Sequence, residues 1–151
     1  MSDLKSRLQS DLTTALKAHD ELRLATVRMT LSAVRSEEVA GKQARVLSDD
    51  DVIKVITREA KKRRESAEAY AAAGRPELAE RERAEGAVLD EYLPTQLSDD
   101  ELAAVVRTAV TESGADGPRA MGSVMKLVQP LVAGRADGRR VSDEVKRQLT
   151  G

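Results

Sequence analysis

Cysteine is absent from this 151-residue chain, and so are phenylalanine and tryptophan. Without thiols there is no disulfide framework, no thiolate nucleophile and no cysteine-based zinc or iron–sulfur centre. The single histidine, His19, excludes paired-histidine metal sites and gives no ground for a Ser–His–Asp set. Its place at an expected helix end suits a cap or surface role better than a general base. Two tyrosines are the whole aromatic complement. The core must therefore be built from Leu, Val, Ile, Ala and Met, and the aromatic platforms on which many RNA-binding domains stack bases are excluded. No apolar run reaches the roughly eighteen residues that a membrane-spanning helix needs. The start, Met1-Ser2-Asp3-Leu4-Lys5, is polar and periodic, unlike a signal peptide. The expectation is a soluble cytoplasmic protein with no cofactor and no metal.

What is present is helical period. Hydrophobic residues make up 40% and charged residues 34%, a globular composition long enough for one domain or two small lobes. Leu4, Leu8, Leu12, Ala15 and Leu16 share one helix face behind the cap Ser2. After a break at His19-Asp20-Glu21, Leu24, Val27, Leu31 and Val34 resume the spacing until Gly41. Ser48 with Asp51 forms a capping-box pattern before Val52, Ile56, Ala60 and Ala67. Gly74 stops that helix, Pro76 opens the next, and Leu78, Glu85, Val88, Leu89 and Tyr92 follow. Leu93-Pro94-Thr95-Gln96 reads as a linker.

Beyond it the pattern restarts in shorter pieces. Ser98 and Glu101 form a second capping box ahead of Leu102, Val106 and Ala109. Residues 114–118 form a loop, and Met121, Val124, Met125, Val128, Leu131 and Val132 make a stripe expected to kink or end near Pro130. A turn over Gly134–Gly138 precedes Val141, Val145 and Leu149, with Ser142 as the expected cap. No segment alternates at period two. The fold class is all-α: a four-helix N-terminal lobe over residues 1–95 and a small three-helix tail domain over 96–151.

Charge separates what the net value of −1 hides. From residue 98 to 118 one arginine faces five acidic residues, whereas from 119 to 151 seven basic residues face three acidic ones. One end of a near-neutral chain is therefore basic. Lys126, Arg135, Arg139, Arg140 and Arg147 are the candidate phosphate contacts, most of them on or beside a glycine-containing turn. Lys61-Lys62-Arg63-Arg64 looks similar, but Glu59, Glu65 and Glu68 stand four residues from its cations, so a self-neutralised helix face is the simpler reading. Asp49-Asp50-Asp51 and Asp99-Asp100-Glu101 are explained by capping and dipole compensation before metal binding. Met29, Met121 and Met125 are expected to fill core space.

Several blocks together carry a family resemblance: Leu22-Arg23-Leu24 to Met29, Arg58-Glu59, Lys61 to Ser66, Ala73-Gly74-Arg75, Glu91-Tyr92-Leu93-Pro94-Thr95-Gln96-Leu97, Met121-Gly122, and Gly134-Arg135-Ala136-Asp137-Gly138-Arg139. In this order the chain resembles the GatB/YqeY-like proteins over nearly its whole length. The resemblance implies a helical lobe joined to a tail similar to the C-terminal domain of the B subunit of the tRNA-dependent amidotransferase, which helps to hold tRNA. Its expected partner is tRNA or a tRNA-bound enzyme complex, with a protein partner on the N-terminal lobe as the alternative. The family label of carbon–nitrogen ligase with glutamine as amido-N-donor describes kinship, because 151 residues leave no room for the ATP-dependent activating domain.

Overall fold

A computed structural model describes residues 2–114 and 116–150. Among them are seven α-helices, one 3-10 turn and no strand, so the all-helical expectation holds. The chain divides into two compact units, Met1–Leu93 and Pro94–Gly151.

The first unit holds α1 (Asp3–Lys17), α2 (Glu21–Glu38), α3 (Asp49–Ala72) and α4 (Pro76–Asp90). Each start follows from local chemistry. The Ser2 hydroxyl accepts from the Lys5 N–H at 3.1 Å, and Asp20 accepts from the Arg23 N–H at 3.1 Å. Ser48 and Asp51 cap reciprocally, each side chain accepting the other residue's N–H at 3.2 Å. Pro76 fits the first turn of α4, where its missing N–H would have no helical partner. Asp49 does more than complement the dipole of α3: it accepts the Ser2 hydroxyl and the Leu4 N–H, the latter at 3.1 Å, fastening the start of α1 to the start of α3. Leu8, Val27, Leu31, Val34, Val52, Ile56, Val88 and Leu89 close a core without phenylalanine or tryptophan.

Tyr92 is the core's only aromatic ring. It is 4% exposed, donates its hydroxyl to Asp11, and carries the Arg7 guanidinium 4.5 Å from its ring centroid. Burial first, and the Asp11 hydrogen bond second, hold its phenol well above the usual range.

The second unit holds α5 (Asp99–Ser113), a 3-10 turn (Pro118–Ala120), α6 (Met121–Val132) and α7 (Gly138–Thr150). Ser98 and Glu101 complete the second capping box, and Gly114 closes α5 at φ 62°, a left-handed conformation that glycine adopts without side-chain strain. Leu97, Leu102, Val106, Val124, Val128, Val141 and Val145 form a separate core.

Three local expectations are corrected, and one at Pro130 holds. Helix α2 ends at Glu38 rather than Gly41, because the Arg45 N–H takes the Glu38 carbonyl at 2.9 Å and turns the chain away. Helix α6 ends near Pro130 as expected, at Val132, because a proline this near the end removes only one bond of the last turn. Helix α7 starts at Gly138, with the Asp137 carboxylate accepting the Arg140 N–H at 2.9 Å, so Ser142 lies inside the helix. Met29 is not core: it is 42% exposed, while Thr26 and Thr30 of the same helix are buried because each hydroxyl returns to a helix carbonyl at 2.8 Å. Leu16 and Leu131 are likewise exposed, at 55% and 56%. Among the described residues no helix is long and apolar enough to cross a membrane.

Candidate nucleic-acid interface

The candidate cations lie on α6, on the α6–α7 turn and on α7, and the structure divides them by what they hold. Arg135 and Arg140 are built into a clasp. The Arg135 carbonyl accepts the Leu97 N–H at 2.7 Å, and its Nε donates to the Thr95 carbonyl at 3.2 Å. The Arg140 guanidinium donates to the Leu97 carbonyl and to Asp99 Oδ1, both at 2.9 Å. Gln96 closes the arrangement from the other side, its amide nitrogen reaching the Gly134 carbonyl at 2.8 Å and the Pro94 carbonyl at 3.1 Å. Segment 94–97 is thus fastened to the α6–α7 turn rather than running free as a linker. Two blocks of the resemblance some forty residues apart, Pro94-Thr95-Gln96-Leu97 and the run from Gly134 with Arg140 just after it, are the two halves of one hydrogen-bonded structure.

Arg147 is paired within its own helix. It grips Glu144 with two bonds, Nε at 2.9 Å and Nη2 at 2.5 Å, and Gln148 adds a third donor to the same carboxylate at 2.9 Å. The Arg147 hydrogen bond is the main reason that Glu144 is pushed down to about 2, with burial opposing it and the Gln148 hydrogen bond adding to it. Arg147 is correspondingly raised by Glu144.

Lys126 and Arg139 are exposed and form no ion pair with the described residues. Arg119 before α6 and Lys146 on α7, outside the five favoured candidates, are exposed in the same way. Lys146 stands seven residues, two helical turns, beyond Arg139. The outward face of α7 therefore carries Arg139, Arg140, Lys146 and Arg147, against Asp143 on the same face. Opposite them Val141 and Val145 are buried, at 2% and 0% exposure.

The rival basic run on α3 is internally neutralised. Arg63 is buried to 14% side-chain exposure and meets Glu85 at 3.1 Å, Glu82 at 3.7 Å and Glu59 at 3.7 Å. Lys61 pairs with Glu65 at 3.9 Å and Lys62 with Glu59 at 3.5 Å. Arg63 also reaches across to α4, a contact that (i, i+4) spacing on one helix does not reveal. Among the described residues no group of three metal-ligating side chains is assembled, and Asp49 and Asp51 serve the caps described above. His19 lies exposed between α1 and α2 at φ 55°, a left-handed residue at a helix end.

A protein of Pyrenophora tritici-repentis (strain Pt-1C-BFP) named altered inheritance of mitochondria protein 41, mitochondrial, is 32% identical over 146 residues, covering 93% of this chain and 77% of that protein. The sequence model of the family described as Yqey-like protein matches residues 5–149, which takes in both cores and both halves of the clasp. With nearly every helix inside that match, the chain belongs to the YqeY-like family.

Proposed function

We propose that this protein is an accessory RNA binder, engaging tRNA or a complex that carries tRNA through the phosphates that face its α6–α7 surface. In this reading Met1–Leu93 is a four-helix lobe, and Pro94–Gly151 is a three-helix tail domain akin to that of the amidotransferase B subunit. The observation that carries it is the group of exposed cations from residue 119 onward that form no ion pair with the described residues: Lys126 and Arg139, with Arg119 and Lys146 beside them in sequence or on the same face. An exposed cation without an internal partner exchanges only water and counterions when it meets a phosphate, whereas Arg140 would have to share its guanidinium with Asp99. Arg135, Arg140 and Arg147 join the contact surface through the donors that their internal bonds leave over, and hold its shape.

The test is a titration of the protein into labelled tRNA, followed by anisotropy at about 50 and about 200 mM salt. Contact with about three phosphates gives a log–log slope near −2 to −3. Reversal of the free cations, Lys126→Glu with Arg139→Glu, is expected to abolish saturable binding at the higher salt and to leave the thermal melt unchanged. These two are the informative reversals, since Arg135→Glu or Arg140→Glu would open the clasp and confuse folding with binding. Unchanged tRNA affinity in the folded double variant would overturn the assignment.

A further inference from the structure

We infer that the RNA recognised by the Pro94–Gly151 unit is double-stranded and is held through its phosphates without preference for base sequence. The inference rests on the RNA-binding reading above and narrows its substrate class.

Two observations carry it. The first is the missing stacking surface. Both tyrosines, Tyr70 and Tyr92, belong to the Met1–Leu93 unit, so residues 94–151 contain no aromatic side chain. An unpaired strand bound by these residues would gain no base stacking, which contributes about 1–3 kcal/mol per base in single-strand binders. It would also have to surrender backbone freedom that a duplex has already lost.

The second observation is the order of charges along α7. Arg139 and Lys146 stand two turns apart on one face, about 10.5 Å along the axis at 1.5 Å per residue. Asp143 is exposed on that same face between them and pairs with neither. A single phosphate chain lying along α7 would cross this carboxylate and be repelled at its middle. Two phosphate rows separated by a groove place one row at each cation and leave Asp143 facing the gap. Arg140 and Arg147, fixed by Asp99 and Glu144, flank the stripe at set positions, which suits a ligand whose charges are themselves regularly spaced.

The experiment compares three labelled RNAs with the full chain at about 100 mM salt. They are a hairpin with a stem of about twelve base pairs, a strand of equal length scrambled to stay unpaired, and a hairpin with its stem sequence inverted. The hairpins are expected to bind about tenfold tighter than the unpaired strand, the loss that missing stacking predicts, and within about twofold of each other. Asp143→Asn, a surface change that leaves the core untouched, is expected to improve the unpaired strand more than the hairpins and so to narrow the gap. Equal binding of hairpin and unpaired strand would overturn this inference and leave RNA binding standing, as would binding of tRNA but of neither hairpin. Failure of all three RNAs and of tRNA would remove the RNA-binding reading itself.

Discussion

Arg147 and Glu144 show how one helical turn decides which arginines remain available to a ligand. Three residues apart, they meet in a two-bond grip, and the Arg147 donors hold the Glu144 carboxyl at about 2, below its ordinary value of 4.5. A carboxylate whose folded value is depressed contributes its stability fully above the unfolded value. That contribution is then lost as pH falls from about 4.5 towards about 2. A carbon-detected titration should therefore find the Glu144 carboxylate still ionised at pH 3, and Arg147→Ala should return its midpoint towards 4.5. An unshifted midpoint in the intact protein would mean that the pair is open in solution and that Arg147 is as free as Arg139. The sequence shows that Glu144 and Arg147 are three apart, which permits the pair. It does not show that Asp143, one residue nearer to Arg139, stays unpaired, because that depends on how each side chain leans on α7.

Among the elements, the helices were legible and the clasp was not. Capping boxes at Ser48/Asp51 and Ser98/Glu101, proline at Pro76 and glycine at Gly114 are short-range signals, and each acts where the pattern placed it. Where such a signal competed with another, the reading slipped. Asp137-Gly138 is a turn pair by composition, yet it forms the cap and first residue of α7, so the helix starts four residues before Ser142. The clasp escaped because its acceptors are backbone carbonyls of Thr95 and Leu97, some forty residues from Arg135 and Arg140, and a carbonyl leaves no trace in a sequence. Arg140→Met keeps most of the side chain's length and removes the donors. It should cost about 1–2 kcal/mol, the worth of a partly exposed charged hydrogen bond, and lower the melting temperature of the Pro94–Gly151 unit by several degrees. A melt identical to that of the parent protein would show that the clasp contributes nothing to stability.

For the whole molecule, the informative fact is that two separate cores lie in one chain. Leu89 is 1% exposed in the first and Val128 0% exposed in the second. Leu89→Ala should cost about 2–5 kcal/mol and Val128→Ala less, for the smaller volume removed. Each is expected to accelerate amide exchange across its own unit and leave the other's protection in place, because distant sites without shared partners add independently. Faster exchange throughout the chain after either substitution would mean that the units unfold as one. The periodicity exposed both cores but placed Met29, Leu16 and Leu131 inside them. A helix pattern marks which residues share a face, and leaves open how far round the helix the neighbouring elements reach.

The clasp also decides where this chain can be cut. A fragment trimmed to begin at the α5 cap, Ser98, would leave the Arg140 guanidinium without the Leu97 carbonyl and the core without Leu97, itself 4% exposed. A fragment that begins at Pro94 keeps both. Three of the four residues that read most like a dispensable tether, Pro94 to Gln96, are therefore the edge piece of the second unit, and an inserted tag or recombination junction belongs before Pro94 rather than after Gln96.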